Sequence, residues 1–197
     1  MLAWLLLIYM IIYLLAAFVW RSLMVWRQTG INPYVWGSGD TPHDFIGRLF
    51  RLLVVASIGV VGFNLMEPDL LVRLGQMDWL QHPSILIAGG LLLVISLVWI
   101  VIAQIQMGES WRIGIDSNQR TNLVKIGLFR FSRNPIFLGM RLNLLGLFLF
   151  LPNALTLLIW VVGDILMQIQ VRLEEEFLTK THGEAYITYC KQTHRWI

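Results

Sequence analysis

Residues 1–20 of this 197-residue chain contain no charged side chain. About 20 apolar residues in helical form cross a bilayer core. In lipid, only a helix or a closed barrel satisfies every backbone polar group. Similar runs return at residues 49–66, 84–107, 135–151 and 154–173, with Arg51 placed to snorkel at the entry of the second. The expectation is an all-α, polytopic membrane protein with about five transmembrane helices. Its last two helices would form a hairpin closed at Pro152-Asn153. Composition agrees: 57% of residues are hydrophobic and 14% charged, where a soluble domain has about a quarter charged. Mean hydropathy is +0.67. A cleaved leader would need a basic start and small residues before the cut. Neither precedes Arg21, so residues 1–20 are read as a retained helix.

The formal charge of +3 and a pI near 9.3 could suggest nucleic acid. The basic residues instead flank the apolar runs, which is the pattern of membrane topology. With the amino terminus outside, Arg21, Arg27, Arg48, Arg51, Arg112, Arg120, Lys125, Arg130, Arg133, Lys180, Lys191 and Arg195 all fall inside. The outer loops hold Arg73 beside Glu67, Asp69 and Asp78. The carboxyl terminus is then cytoplasmic and the membrane an inner or plasma membrane. Trp4, Trp20, Trp79, Trp111 and Trp160 lie near span ends and read as interfacial anchors. A single cysteine, Cys190, excludes an internal disulfide framework and a zinc site built on several thiolates. No metal is expected. Residues 27–47 read as an irregular connection, with His43 a solvated loop residue; His82 receives no role.

Polar residues gather in two stretches on either side of the hairpin. One runs from Leu123 through Arg133-Asn134-Pro135. The other is Arg172-Leu173-Glu174-Glu175-Glu176, followed by His182-Gly183 and Tyr186. Antiparallel pairing about Pro152-Asn153 sets Arg141 level with Asp164, where opposite charges at one depth should pair. At 100° per residue, Asp164, Gln168 and Glu175 share a face with Arg172 at its edge. That stripe is expected to line a cavity running from the cytoplasmic end into the hydrocarbon. An acidic run is commonly solvated surface. Set opposite the Arg133-Asn134-Pro135 turn, this one suits a partly cationic ligand at a membrane face. Division of the chain follows: residues 1–107 supply three spans, residues 108–197 the binding region.

Several of these elements together resemble the isoprenylcysteine carboxyl methyltransferase and phospholipid methyltransferase superfamily. They are Met107-Gly108-Glu109-Ser110-Trp111, Leu-Val-Lys-x-Gly-Leu-Phe at 123–129, Arg133-Asn134-Pro135-Ile136-Phe137, Glu174-Glu175-Glu176-Phe177-Leu178, His182-Gly183-Glu184-Ala185-Tyr186 and Tyr189. The likeness spans about residues 104–196. It implies a methyltransferase with S-adenosylmethionine bound on the cytoplasmic side. Contacts would come from Thr121, Asn122, Leu123, Val124, Phe129, Asn134, Pro135, Ile136, Phe137 and Glu174. It also implies a small lipophilic acceptor entering from the bilayer, oriented by an arginine near the end of the fifth helix, here Arg172. Gln170 stands where the superfamily's usual arginine does, and Asn134 where histidine is common. An amine or thiol acceptor must lose a proton, and Glu175 is the nearest candidate base. Two other readings stand beside this one: an NADPH-dependent sterol-reductase-like oxidoreductase, and a non-enzymatic scaffold of the same fold. Oligomeric state is not legible.

Overall fold

The computed structural model describes residues 1–30, 40–111 and 122–197. Among these, the only β pairing is an isolated bridge between Gln76 and Asn153. Seven helices of the described residues carry the fold: α1 (Leu2–Thr29), α2 (Pro42–Met66), α3 (Pro68–Arg73), α4 (Pro83–Met107), α5 (Pro135–Phe150), α6 (Ala154–His182) and α7 (Glu184–Gln192). α1, α2, α4 and α6 are long and apolar enough to cross a membrane. α5 has 16 residues, about 24 Å at 1.5 Å each, shorter than the ~30 Å hydrocarbon core. Pro135 opens it and Pro152 follows its end. The five apolar runs therefore appear as four long helices and a short one, and the protein is a polytopic membrane protein. Their outward faces are apolar, as lipid requires: Leu91, Val94, Ile95, Val98, Ile102 and Ile105 all lie exposed along α4.

Sequence pattern made several helices too short. α1 continues past Trp20 to Thr29 through a π-helical stretch at Leu15–Trp20. Its Arg21 is buried and donates to the Gly108 carbonyl. α2 starts at Pro42 rather than 49 because Thr41 and Asp44 form a capping box. The Thr41 Oγ1 accepts from the Asp44 amide at 3.2 Å, and the Asp44 carboxylate accepts from the Thr41 amide at 3.2 Å. His43 thus belongs to a helix, not a loop. His82 caps α4, its Nδ1 accepting from the Ser84 amide at 3.3 Å. Trp111 is buried, which removes it from the interfacial anchors.

One core draws on every long helix. Leu6 and Met10 of α1, Leu53, Val60 and Val61 of α2, Leu93 of α4, Leu147 of α5 and Ile159 of α6 form a buried cluster. α4 and α5 lie closest, because Gly89 and Gly146 face each other. A Cβ on Gly89 would meet the Phe150 nitrogen at 2.6 Å, the small-residue contact typical of membrane helix pairs. Between them, buried Asn143 donates to Ser96 Oγ at 3.1 Å and to the Tyr9 hydroxyl. This ties α5 to α4 and α1.

The hairpin closes as expected. Buried Asn153 caps α6, accepting from the Leu155 and Thr156 amides at 2.9 and 3.0 Å. The 74–77 turn clips on beside it, with the Met77 amide donating to Pro152 and that of Ala154 to Gly75. At the opposite, open end, the contacts gather α1, α4, α5 and the far part of α6. Both polar stretches sit there.

Candidate active site

α6 is 29 residues long, about 44 Å, so its last turns stand beyond the core thickness and carry Glu174, Glu175 and Glu176 out of it. The three consecutive carboxylates have different fates. Glu176 is exposed and pairs with Lys180 at 2.6 Å. Glu175 turns toward the α5 entry and is 12% exposed. Its Oε1 accepts from Arg133 Nη2 at 3.0 Å and its Oε2 from Arg195 Nη2 at 2.7 Å. Asn134 Nδ2 adds a contact to Oε1 at 3.3 Å. Hydrogen bonding to Glu175 in turn holds the Arg195 guanidinium above its usual range. A carboxylate held on both oxygens by two arginines is a fixed anion, unsuited to accept a substrate proton. Glu175, the expected base, is thus engaged on both oxygens by ion pairs. Glu174 differs again. It is half-buried, and its one hydrogen bond among the described residues comes from Gln170 Nε2 at 2.9 Å. Gln170 is itself buried and lies against His43 at the start of α2.

The turn opposite is built by residues 122–134. Gly127 takes a positive φ of 57° and lies against Gln106, whose side chain a Cβ would meet at 2.3 Å. Gln106 Oε1 then accepts from the Leu128 amide at 2.7 Å. Phe129 is buried, and its carbonyl accepts from the Tyr189 hydroxyl. Burial pushes that phenol up to about 12, so it stays a donor at neutral pH. Asn134 and Pro135 are buried at the α5 entry, where the Pro135 carbonyl accepts from Trp99 Nε1 at 2.9 Å. Ile136 turns away and packs on the Tyr13, Ala17 and Ile100 cluster. Phe137, Leu123 and Val124 are half-buried, while Asn122 is exposed with its carbonyl accepting from Ser110 at 3.1 Å. Thr121 lies outside the described residues.

Arg172 is not brought to this cluster. It is exposed and folds back along its own helix to the Gln168 carbonyl at 2.6 Å and Oε1 at 3.1 Å. The supposed stripe is likewise divided. Asp164 pairs with Arg141, Gln168 with Arg172 and Glu175 with Arg133 and Arg195. Among the described residues a crevice lies elsewhere, lined by Met10, Tyr13, Phe50, Leu53, Met140 and Asn143 among others. It holds about 40 Å³, room for a few water-sized groups.

Residues 193–197 are what the sequence did not single out. The His194 carbonyl accepts from the Arg133 amide at 2.9 Å. That of Arg195 accepts from Ser132 Oγ and Asn134 Nδ2, both at 3.3 Å. The Trp196 ring lies 4.4 Å from the Arg141 guanidinium, which is also the partner of Asp164. This short segment therefore joins the intramembrane pair to the acidic cluster.

A family model described as phospholipid methyltransferase matches residues 84–185. It begins with α4 rather than near residue 104, and it stops before Tyr186, Tyr189 and the 193–197 segment. No curated protein matches the chain.

Proposed function

The chain belongs to the phospholipid methyltransferase family, and we propose that it binds S-adenosylmethionine at the open end of the hairpin and methylates an amphiphilic acceptor drawn from the bilayer. Glu174 carries this reading. Its carboxylate is half-buried at the end of the membrane helices and retains hydrogen-bonding capacity beyond Gln170. An ammonium or sulfonium fits such a group, since charge attraction is strong where water is scarce. When bound, the cofactor supplies an electrophilic methyl. Glu174 holds the cationic end. Asn134 and the Arg133–Glu175 pair fix the turn beside it, and burial of Phe129 keeps water from its back. The protein's contribution is alignment and exclusion of solvent.

Orientation follows the same logic. Lys125, Arg130, Arg133, Lys180 and Arg195 belong to the open-end segments, while the closed end holds Glu67, Asp69 and Asp78 with Arg73. That asymmetry supports an open end in the cytoplasm, with the amino terminus outside. The acceptor's tail is assigned to the lipid-facing surface of the hairpin, where Leu158, Val161, Val162 and Ile165 are exposed. The test supplies labelled S-adenosylmethionine with membrane lipid extract, or with water-soluble amines, thiols and carboxylic acids. Label is expected in the lipid fraction; label confined to the water-soluble set would defeat the amphiphilic acceptor.

A further inference from the structure

The two arginines on Glu175 are not equivalent. Arg133 is 11% exposed and fully engaged. Its Nε and Nη2 go to Glu175, and its Nη1 donates to the Cys190 and Thr193 carbonyls at 3.1 and 2.8 Å. Arg195 is 34% exposed. Its Nε and Nη2 go to Glu175, while Nη1 makes no hydrogen bond among the described residues. Two guanidiniums share the one carboxylate of Glu175, and the partly exposed Arg195 keeps an edge that Glu175 does not engage. A guanidinium edge with N–H groups to spare is a ready donor to an oxyanion.

We propose that Arg195 is an oxyanion-binding residue of this site, its Nη1 edge taking a carboxylate or phosphate oxygen. Glu175 is its positioning partner. It holds one side of the guanidinium flat and leaves the other edge directed at the ligand. The backbone is pinned as well, through the Arg195 carbonyl to Ser132 and Asn134 and through Trp196 stacked on Arg141. A donor fixed from three sides loses little entropy on binding. Arg195 is held by Glu175, the α6 residue next to Glu174, so the group suited to an anion and the group suited to a cation both belong to this end of the helix. A zwitterion carries both charges. The proposal rests on the reading of this end as the cofactor site. Two sources share the anion chemistry: the carboxylate of the cofactor's amino-acid end, and a phosphate on the acceptor.

Full-length protein in detergent distinguishes them. Arg195→Gln and Arg195→Lys are titrated calorimetrically with S-adenosylmethionine and with its decarboxylated form. If the anion is the carboxylate, Arg195→Gln weakens the first by on the order of tenfold or more, as loss of a charge-assisted contact does. It leaves the decarboxylated form unchanged, and Arg195→Lys falls between. If the anion is a phosphate, cofactor affinity holds, and KM rises similarly for a phosphate-bearing amphiphile but not for a neutral one of equal chain length. Equal losses for both cofactor forms would reduce Arg195 to a structural role and overturn the proposal, as would no change in any arm. Should the wild type bind no S-adenosylmethionine, the cofactor reading fails alone. The oxyanion site is then judged by inorganic phosphate, which should raise the melting temperature of wild type and not of Arg195→Gln. Equal behaviour of the two overturns it.

Discussion

The hairpin holds two ionic sites, one within its membrane-spanning stretch and one at its open end, and they are balanced differently. Arg141 and Asp164 pair one to one, with the Trp196 ring over the guanidinium. Arg133, Glu175 and Arg195 meet two to one. In a medium where unpaired charge is costly, a one-to-one pair completes itself and locks two helices. A two-to-one cluster keeps charge in reserve. The first is architecture; the second is where a ligand can be recognised.

Breaking the balanced pair should cost most. Arg141→Ala or Asp164→Ala alone leaves an uncompensated charge, and a stability loss of about 3 kcal/mol or more is expected. The double change to apolar residues should cost less than either single one. Melting in detergent checks this, and additive losses would show that the pair is not a closed unit. Glu175→Gln comes next. It leaves two arginines facing each other without their anion, and about 2–3 kcal/mol of stability should go. Adding Arg195→Gln should return part of it, because repulsion is relieved. Glu174→Gln has a different signature: cofactor affinity falls by about 1.5–3 kcal/mol while the melting temperature holds. A shared loss of stability would make Glu174 another structural group. Arg172→Ala is the smallest, within about 0.5 kcal/mol, as for an exposed side chain. A large loss of activity there would restore the acceptor-binding role that the superfamily likeness implied.

The membrane helices were legible because lipid imposes length and apolarity together, as at residues 84–107, which match α4 within one residue. The hairpin and its Arg141–Asp164 pair followed from symmetry about Pro152-Asn153 alone. The start of α2 was missed although its signal was present: Thr41-Pro42-His43-Asp44 is a capping sequence. Arg48 and Arg51 interrupt the apolar run, so apolarity alone begins only past the helix's first turns. Within the site, sequence adjacency misled. Glu174, Glu175 and Glu176 look interchangeable in the sequence, yet helical geometry sends each toward a different partner. Arg172 lay near the right place, but nothing in the sequence shows that it bends back to Gln168. In the sequence Arg195 reads only as a charge fixing topology. Its role depends on residues 193–197 returning to the Arg133 turn, a contact 60 residues away in the chain that no local pattern encodes.

Titration of the detergent-solubilised protein with S-adenosylmethionine, S-adenosylhomocysteine and NADPH is the most direct measurement. Saturable binding of the first two, weakened in Glu174→Gln, and none of NADPH is the expected result. Binding of NADPH instead would point to a reductase, and binding of none of the three to a scaffold that keeps the fold without the chemistry; either would contradict the assignment of the open end as a methyl-donor site.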